Sequence, residues 1–190
     1  MADKKFLDVF LRYAPTKDKK ELLNSALRAE FRYTRVPMRV EVDLFFNSHK
    51  DAELIYEIED ECRELYGAES FKILPHFPPA CFSVDYFSEI ATEAALCGAV
   101  TNGFFSGAEY FDNGECITAA IPYFSSGIEF VKNGNTEIIL ANILRSRYGV
   151  ERKILIEEGK GAEERARIIA ERREKRIADA EAENRERVAT

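Results

Sequence analysis

Glu53, Glu57, Asp60 and Glu64 recur at helical spacing and place four carboxylates on one stripe. Paired carboxylates can do general acid–base work when a cleft perturbs their ionisation. Nothing in the flanking sequence indicates a cleft. A stripe of this kind is usually a solvated face, and its functional reading is the docking of a basic partner. His49 and His76 are the only histidines. Neither has ligand-like spacing to a cysteine or an aspartate, so no metal site is expected. Cys62, Cys81, Cys97 and Cys116 form no C-x-x-C pair and read as reduced, mostly packed thiols. The stretch "NGFFSGAEY" carries Gly103 and Gly107 but neither G-x-G-x-x-G nor G-K-[ST], so a phosphate-cradling loop is not expected. Aromatic residues are the remaining chemistry. Phe104, Phe105, Tyr110, Phe111, Tyr123 and Phe124 crowd around one hairpin signal. Core packing is the first reading of that cluster, and a stacking platform for single-stranded nucleic acid is the second. These residues suggest no catalytic group, metal or cofactor.

The chain must supply elements that position these groups. Its 190 residues are enough for one ordinary domain or two small ones, and 46% are hydrophobic. No long uncharged apolar run is present, so no membrane span is expected. The N-terminal "MADKKFLDVFLRYAP" has charges inside its apolar segment and does not read as a secretory signal, which makes the cytoplasm the expected compartment. Net charge is −7, and residues 162–190 hold eight acids and eight bases, so the body carries the whole deficit. An acidic body repels a phosphate backbone.

Periodicity predicts a helical stripe through Phe6, Leu7, Phe10 and Leu11, ended by Pro15, and a second short helix capped by Thr16. Two strands follow, turning at Val36-Pro37. In the second, Val40, Val42, Leu44 and Phe46 alternate with Arg39, Glu41, Asp43 and Phe45, the period of a half-buried strand. Ser48 and Asp51 form a capping-box pattern before a helix expected to bury Leu54, Ile55, Ile58, Cys62 and Leu65 and to stop at Gly67. "AESFKIL" is the next strand. Pro75, Pro78 and Pro79 mark a linker. Asp85 is expected to cap the helix "YFSEIATEAALC", and Asn113-Gly114 signals a hairpin. Ser126 and Glu129 form a second capping box over a short helix ending near Asn133-Gly134. The next helix is expected to bury Ile138, Ile139, Ile143 and Leu144 and to stop at Gly149, before the strand "VERKILI".

"LYGAESFKILP" (65–75) and "RYGVERKILIE" (147–157) echo each other with a one-residue shift. In each, a glycine tolerant of positive φ ends a helix and β-formers enter a closing strand. The expected fold class is therefore α+β, with two small α/β modules in tandem. The first spans 1–75 in the order αββαβ, a Pro-rich linker covers 76–84, and the second spans 85–158 in the order αββααβ. A charged helical tail covers 159–190. It is rich in helix formers and opposite charges, with Ile168, Ile169, Ile177 and Val188 too sparse for a heptad.

The first module's "KFLDVFLRY", "VEVDLFF" and "IEDECRELYGAESFKIL" resemble the start of the PolC-type DNA polymerase III α subunit of low-GC Gram-positive bacteria. The second module, from "FSVDYFSEIATEA" through "NGFFSGAEYFDNGECITAAIPYFSSGIEFVKNGNTEIILANILRSRYGVERKILIEEG", resembles that family's N-terminal region as well. The resemblance covers roughly the body up to residue 160 and rests on packing patterns. It implies a non-catalytic N-terminal interaction region that docks replisome proteins, a clamp-loader subunit or helicase-side factors. It also implies a parent chain that is a DNA-directed DNA polymerase with 3′–5′ exonuclease activity, its active sites lying beyond this fragment. Glu53, Glu57, Asp60 and Glu64 are the docking candidates. The second module's element order also resembles a type II KH domain, which clamps nucleic-acid backbone through a G-x-x-G loop. Here the loop reads Lys132-Asn133-Gly134-Asn135 with one glycine. The alternative function is a KH-like single-stranded nucleic-acid module, with Phe105, Tyr110, Lys132, Asn133 and Gly134 as contacts. Weak or absent nucleic-acid binding is the expectation.

Overall fold

The structure, a computed structural model, describes residues 4–97 and 103–161, with 163, 167, 170 and 171 of the tail. The fold is α+β and holds two three-stranded sheets. The elements are α1 (Phe6–Val9), α2 (Lys17–Asn24), β1 (Arg28–Arg35), β2 (Met38–Phe45), α3 (Ala52–Tyr66) and β3 (Ser70–His76). Two short 3₁₀ turns follow, then α4 (Phe87–Cys97), β4 (Glu109–Asp112), β5 (Cys116–Ile121), α5 (Ser125–Asn133), α6 (Thr136–Tyr148) and β6 (Lys153–Glu158). Among the described residues no helix is long and apolar enough to cross a membrane.

The two sheets share one topology. β1 and β2 pair antiparallel, and β3 joins β2 in parallel. Likewise, β4 and β5 pair antiparallel, and β6 joins β5 in parallel. A parallel neighbour needs a crossover, supplied by α3 in the first case and by α5 and α6 in the second. The sequence echo falls on the close of each crossover. Gly67 (φ 64°) and Gly149 (φ 62°) take the left-handed conformation after Tyr66 and Tyr148. In both closing strands the Lys-Ile-Leu triplet reads exposed, buried, half-buried: Lys72-Ile73-Leu74 and Lys153-Ile154-Leu155. The shared chemistry is thus a glycine stop followed by a strand presenting its isoleucine to the core.

The chain divides into two compact units, Met1–Glu89 with Asn142–Glu151, and Ile90–Ala141 with Arg152–Thr190. The residues expected as a linker, 76–84, lie in the first unit. β3 accommodates Pro75 and continues to His76, because β3 is an edge strand where a missing N–H is tolerated. Phe77 is buried and its N–H donates to the Arg147 carbonyl at 2.6 Å. Rings of Phe77 and Phe82 pack on Tyr148 at 5.1 and 5.3 Å.

The first core lies on one face of its sheet. Val40, Val42 and Leu44 of β2 and Phe71 and Ile73 of β3 meet Ile55, Ile58 and Cys62 of α3, all buried. Phe6 and Phe10 add an aromatic cluster, with Phe10 edge-on to Phe71 at 5.1 Å and to Tyr66 at 5.5 Å. α1 is only one turn, so the predicted stripe ends early and Leu11 is exposed. The second core gathers Ala119, Ile121, Val131 and Ile156. In α6 the buried residues are Thr136, Leu140, Leu144, Arg147 and Tyr148, whereas Ile138 is exposed.

Three helix starts differ from expectation. α3 begins at Ala52 with Asp51 as its cap, accepting from the Glu53 N–H at 2.9 Å; Ser48 and His49 precede the helix. α5 is preceded by Phe124 without a side-chain cap, so Ser126 lies inside the helix. Ser83, not Asp85, is the capping side chain before α4; it serves the 3₁₀ turn Val84–Tyr86. Sequence patterns for caps are short, and several Ser and Asp residues compete for each role. The charged tail beyond residue 161 lies outside the described residues, apart from the four positions named above.

Candidate functional site

The acidic stripe lies on α3, and part of it is neutralised from within. Lys19 of α2 is buried, and its ammonium donates to Glu57 at 2.8 Å and to Glu61 at 2.6 Å. The Tyr13 hydroxyl donates to the other Glu61 oxygen at 2.5 Å. Asp60 pairs with Arg63 at 2.9 Å. Glu53 and Glu64 remain outward-facing. Of the four docking candidates, two therefore have cationic partners on the protein itself.

This arrangement has a pH signature. The hydrogen bond from Lys19, then that from Tyr13, holds the Glu61 carboxyl below its ordinary range. A depressed carboxyl contributes stability that is present above its unfolded pKa and lost as pH falls through the folded one. Stability should therefore drop below about pH 4.3, and the drop should be shallower in Lys19→Met. Urea midpoints across the acid range test this, and equal slopes for the two proteins would refute it.

The KH-like candidates lie in the second unit. α5 and α6 are joined by Gly134 and Asn135 alone. Asn135 carries the positive φ of 55°, while Gly134 is at −80°. The Lys132 ammonium is 3.7 Å from Glu137, so the loop's one cation faces a carboxylate of its own chain. The Thr136 hydroxyl donates to the Val131 carbonyl at 2.7 Å and locks the turn. Phe105 and Tyr110 are half-buried against the core of Ala119, Ile121, Val131 and Ile156, with Phe104, Tyr123 and Ile128 beside them. Burial pushes the Tyr110 phenol up to about 12. The aromatics of this unit that face solvent, among the described residues, are Phe111, Phe124 and Phe130. Phe104 stacks on Phe130 at 5.7 Å and on Tyr123 at 4.7 Å, tilted. The last of the exposed rings, Phe130, has no counterpart among the sequence candidates.

The polar arrangement that sequence reading passed over is in the first unit and uses both histidines. His49 Nδ1 lies 2.8 Å from the Tyr148 hydroxyl and Nε2 lies 3.1 Å from Glu89. The imidazole stacks on Tyr86 at 3.7 Å. Buried Arg147 faces the other Glu89 oxygen at 3.8 Å. His76 Nδ1 donates to the Ser146 carbonyl at 2.8 Å, and Nε2 lies 2.8 Å from Asp43. The His76 ring stacks on Phe45, which also carries the Arg28 guanidinium at 3.9 Å. Tyr148 is fully buried, and burial followed by the nearby Glu89 raises its phenol well above the ordinary value. The Tyr148 hydroxyl therefore keeps its proton near neutrality and can donate to or accept from His49, according to the imidazole tautomer. The cluster packs residues 142–148, the part of α6 that belongs to the first unit, within that unit. Its partners lie 99 and 70 residues apart in the chain, beyond any local spacing rule.

Among the described residues, no group of three or more His, Cys, Asp or Glu side chains is placed to hold a metal ion. Cys62, Cys81 and Cys116 are free thiols, and burial pushes Cys62 up to about 12. Comparison with protein-family models, with curated proteins and with solved structures gives no match.

Proposed function

We propose that this chain is a non-catalytic protein-docking region of a PolC-type replicative polymerase, binding a clamp-loader subunit or a helicase-side factor. The observation that favours docking over nucleic-acid clamping is the state of the KH-like loop. Its lysine is paired with Glu137, and Phe105 and Tyr110 are committed to core packing. An acidic body adds repulsion toward phosphate. Exposed apolar side chains on the first unit, with Tyr33 66% and Val36 93% accessible at one hairpin, offer contact area of the kind protein interfaces bury. Outward-facing Glu53 and Glu64 on α3 supply charge selectivity toward a basic partner.

The exposed rings of Phe111, Phe124 and Phe130 favour a second reading, a stacking surface for single-stranded nucleic acid. One titration separates the two. A labelled single-stranded oligonucleotide should bind with a dissociation constant of about 10⁻⁴ M or weaker at physiological salt. A clamp-loader subunit or helicase-side protein should bind more tightly, with a shallower salt dependence than phosphate contacts give. Micromolar oligonucleotide binding that weakens steeply with salt and is lost in Phe130→Ala would replace docking with the nucleic-acid reading.

A further inference from the structure

The chain has three Asn-Gly dipeptides, at Asn102, Asn113 and Asn133. We infer that Asn113-Gly114 is a self-modification site, at which the folded hairpin promotes conversion of Asn113 to aspartate and isoaspartate. The reaction needs a deprotonated Gly114 nitrogen, an activated Asn113 side-chain carbonyl and a leaving ammonia, and the β4–β5 turn supplies a group for each need. The Gly114 N–H donates to Asp112 Oδ1 at 2.8 Å, so a carboxylate sits on the proton that must be removed. Asn113 Oδ1 accepts the N–H groups of Glu115 at 3.0 Å and Cys116 at 2.8 Å. Asn113 and Gly114 are adjacent in the chain, so attack of the Gly114 nitrogen on Cγ closes a five-membered ring. The Glu115 and Cys116 donors are also placed to stabilise negative charge on Oδ1. Gly114 has φ 91° and no side chain to obstruct approach.

The steps balance without a further reagent other than water. Asp112 takes the Gly114 proton, and the nitrogen forms a bond to Asn113 Cγ. The charge on Oδ1 is held by the Glu115 and Cys116 N–H groups. The Cγ–Nδ2 bond then breaks, and Nδ2 leaves as ammonia with the proton returned by Asp112. Water opens the cyclic imide at either carbonyl, giving aspartate or isoaspartate. Arg152, 3.4 Å from Asp112, holds that carboxylate in place. Asn133-Gly134 is the internal contrast: Asn133 is helical, and the Gly134 N–H is engaged by the Val131 carbonyl at 3.2 Å. Isoaspartate would insert a backbone methylene into the turn that sets the Asp112↔Ile117 pairing.

The test is peptide mapping with isoaspartate quantification after incubation of the purified chain at mildly alkaline pH, native and in urea. Asn113 should convert faster than Asn133 in the native chain and faster than Asn113 itself in urea. Asp112→Asn keeps a turn acceptor but removes the base, and should slow native conversion by roughly a hundredfold. The comparison with urea needs no variant, so it stands even where Asp112→Asn does not fold. Native conversion of Asn113 no faster than in urea would overturn the proposal, as would an unchanged rate in a folded Asp112→Asn.

Discussion

Replacing Gly159 by alanine is expected to destabilise the second unit by about 2 kcal/mol, and by valine by more. Gly159 follows β6, and its N–H donates to the Ile121 carbonyl at 2.7 Å, which draws its backbone against β5. A Cβ there would lie 2.7 Å from the Ala120 carbonyl oxygen, 2.8 Å from its carbon and 3.2 Å from the Ile121 nitrogen. All three atoms are backbone. β5 is the central strand, paired on both sides, so it cannot yield by a side-chain rotation. The cost is therefore steric and independent of φ. Gly67 is the useful contrast. Nothing lies within 4 Å of its Cβ position, but its φ of 64° is left-handed. Gly67→Ala should cost about 1 kcal/mol from backbone conformation alone. Urea unfolding followed by circular dichroism measures both. A Gly159→Ala midpoint equal to that of the parent chain would sink the argument.

The contrast between these glycines also shows what the sequence makes legible. Gly67 and Gly149 are readable, because each ends an apolar helical period and precedes a run of β-formers. The alternation of Val40, Val42 and Leu44 is equally local, and all three are buried. Gly159 carries no such signal, since the strand it crowds lies nearly forty residues earlier in the chain. The burial assigned to α6 illustrates a different limit. Ile138, Ile139, Ile143 and Leu144 form a plausible stripe, yet the buried face runs through Leu140, Leu144 and Tyr148, at i, i+4 and i+8. With apolar residues around most of the helix, composition does not choose the face; the packing partner does. The histidines fail for the opposite reason. Each sits among non-local partners, so spacing rules built on neighbouring ligands could not connect His49 to Tyr148 or His76 to Ser146.

The candidate site was legible in composition but not in state. The sequence places Glu57 and Asp60 on an outer stripe, and their exposure agrees with that. What it does not reveal is Lys19, which reaches Glu57 and Glu61 from a separate helix and leaves less free charge for a partner. In the same way, the hairpin aromatics are visible as a cluster, but only packing divides them into half-buried Phe105 and Tyr110 and exposed Phe111, Phe124 and Phe130. A stacking surface and a core use the same residue types.

Glu59 should be the most consequential charged residue on α3, although it belongs to no predicted site. It is buried; Oε1 accepts the Ile73 N–H at 2.6 Å and Oε2 lies 3.2 Å from the Lys72 ammonium. β3 is an edge strand, so its outward N–H groups have no further strand to pair with, and the carboxylate takes that role. The second unit repeats the device: Glu137 of α6 accepts the N–H of Ile156 on edge strand β6 at 3.1 Å. The two should differ in weight, because Glu137 is a third exposed and water can replace it. Glu59→Ala leaves a buried N–H without its acceptor and should cost about 3 kcal/mol, whereas Glu137→Ala should cost about 1 kcal/mol. Glu59→Gln keeps an acceptor for Ile73 and should recover more than half of the loss. Amide hydrogen exchange gives the site-resolved readout: Ile73 protection should collapse in Glu59→Ala and persist in Glu59→Gln. Equal losses for the alanine and glutamine variants would mean that the charge, not the edge hydrogen bond, is what stabilises β3.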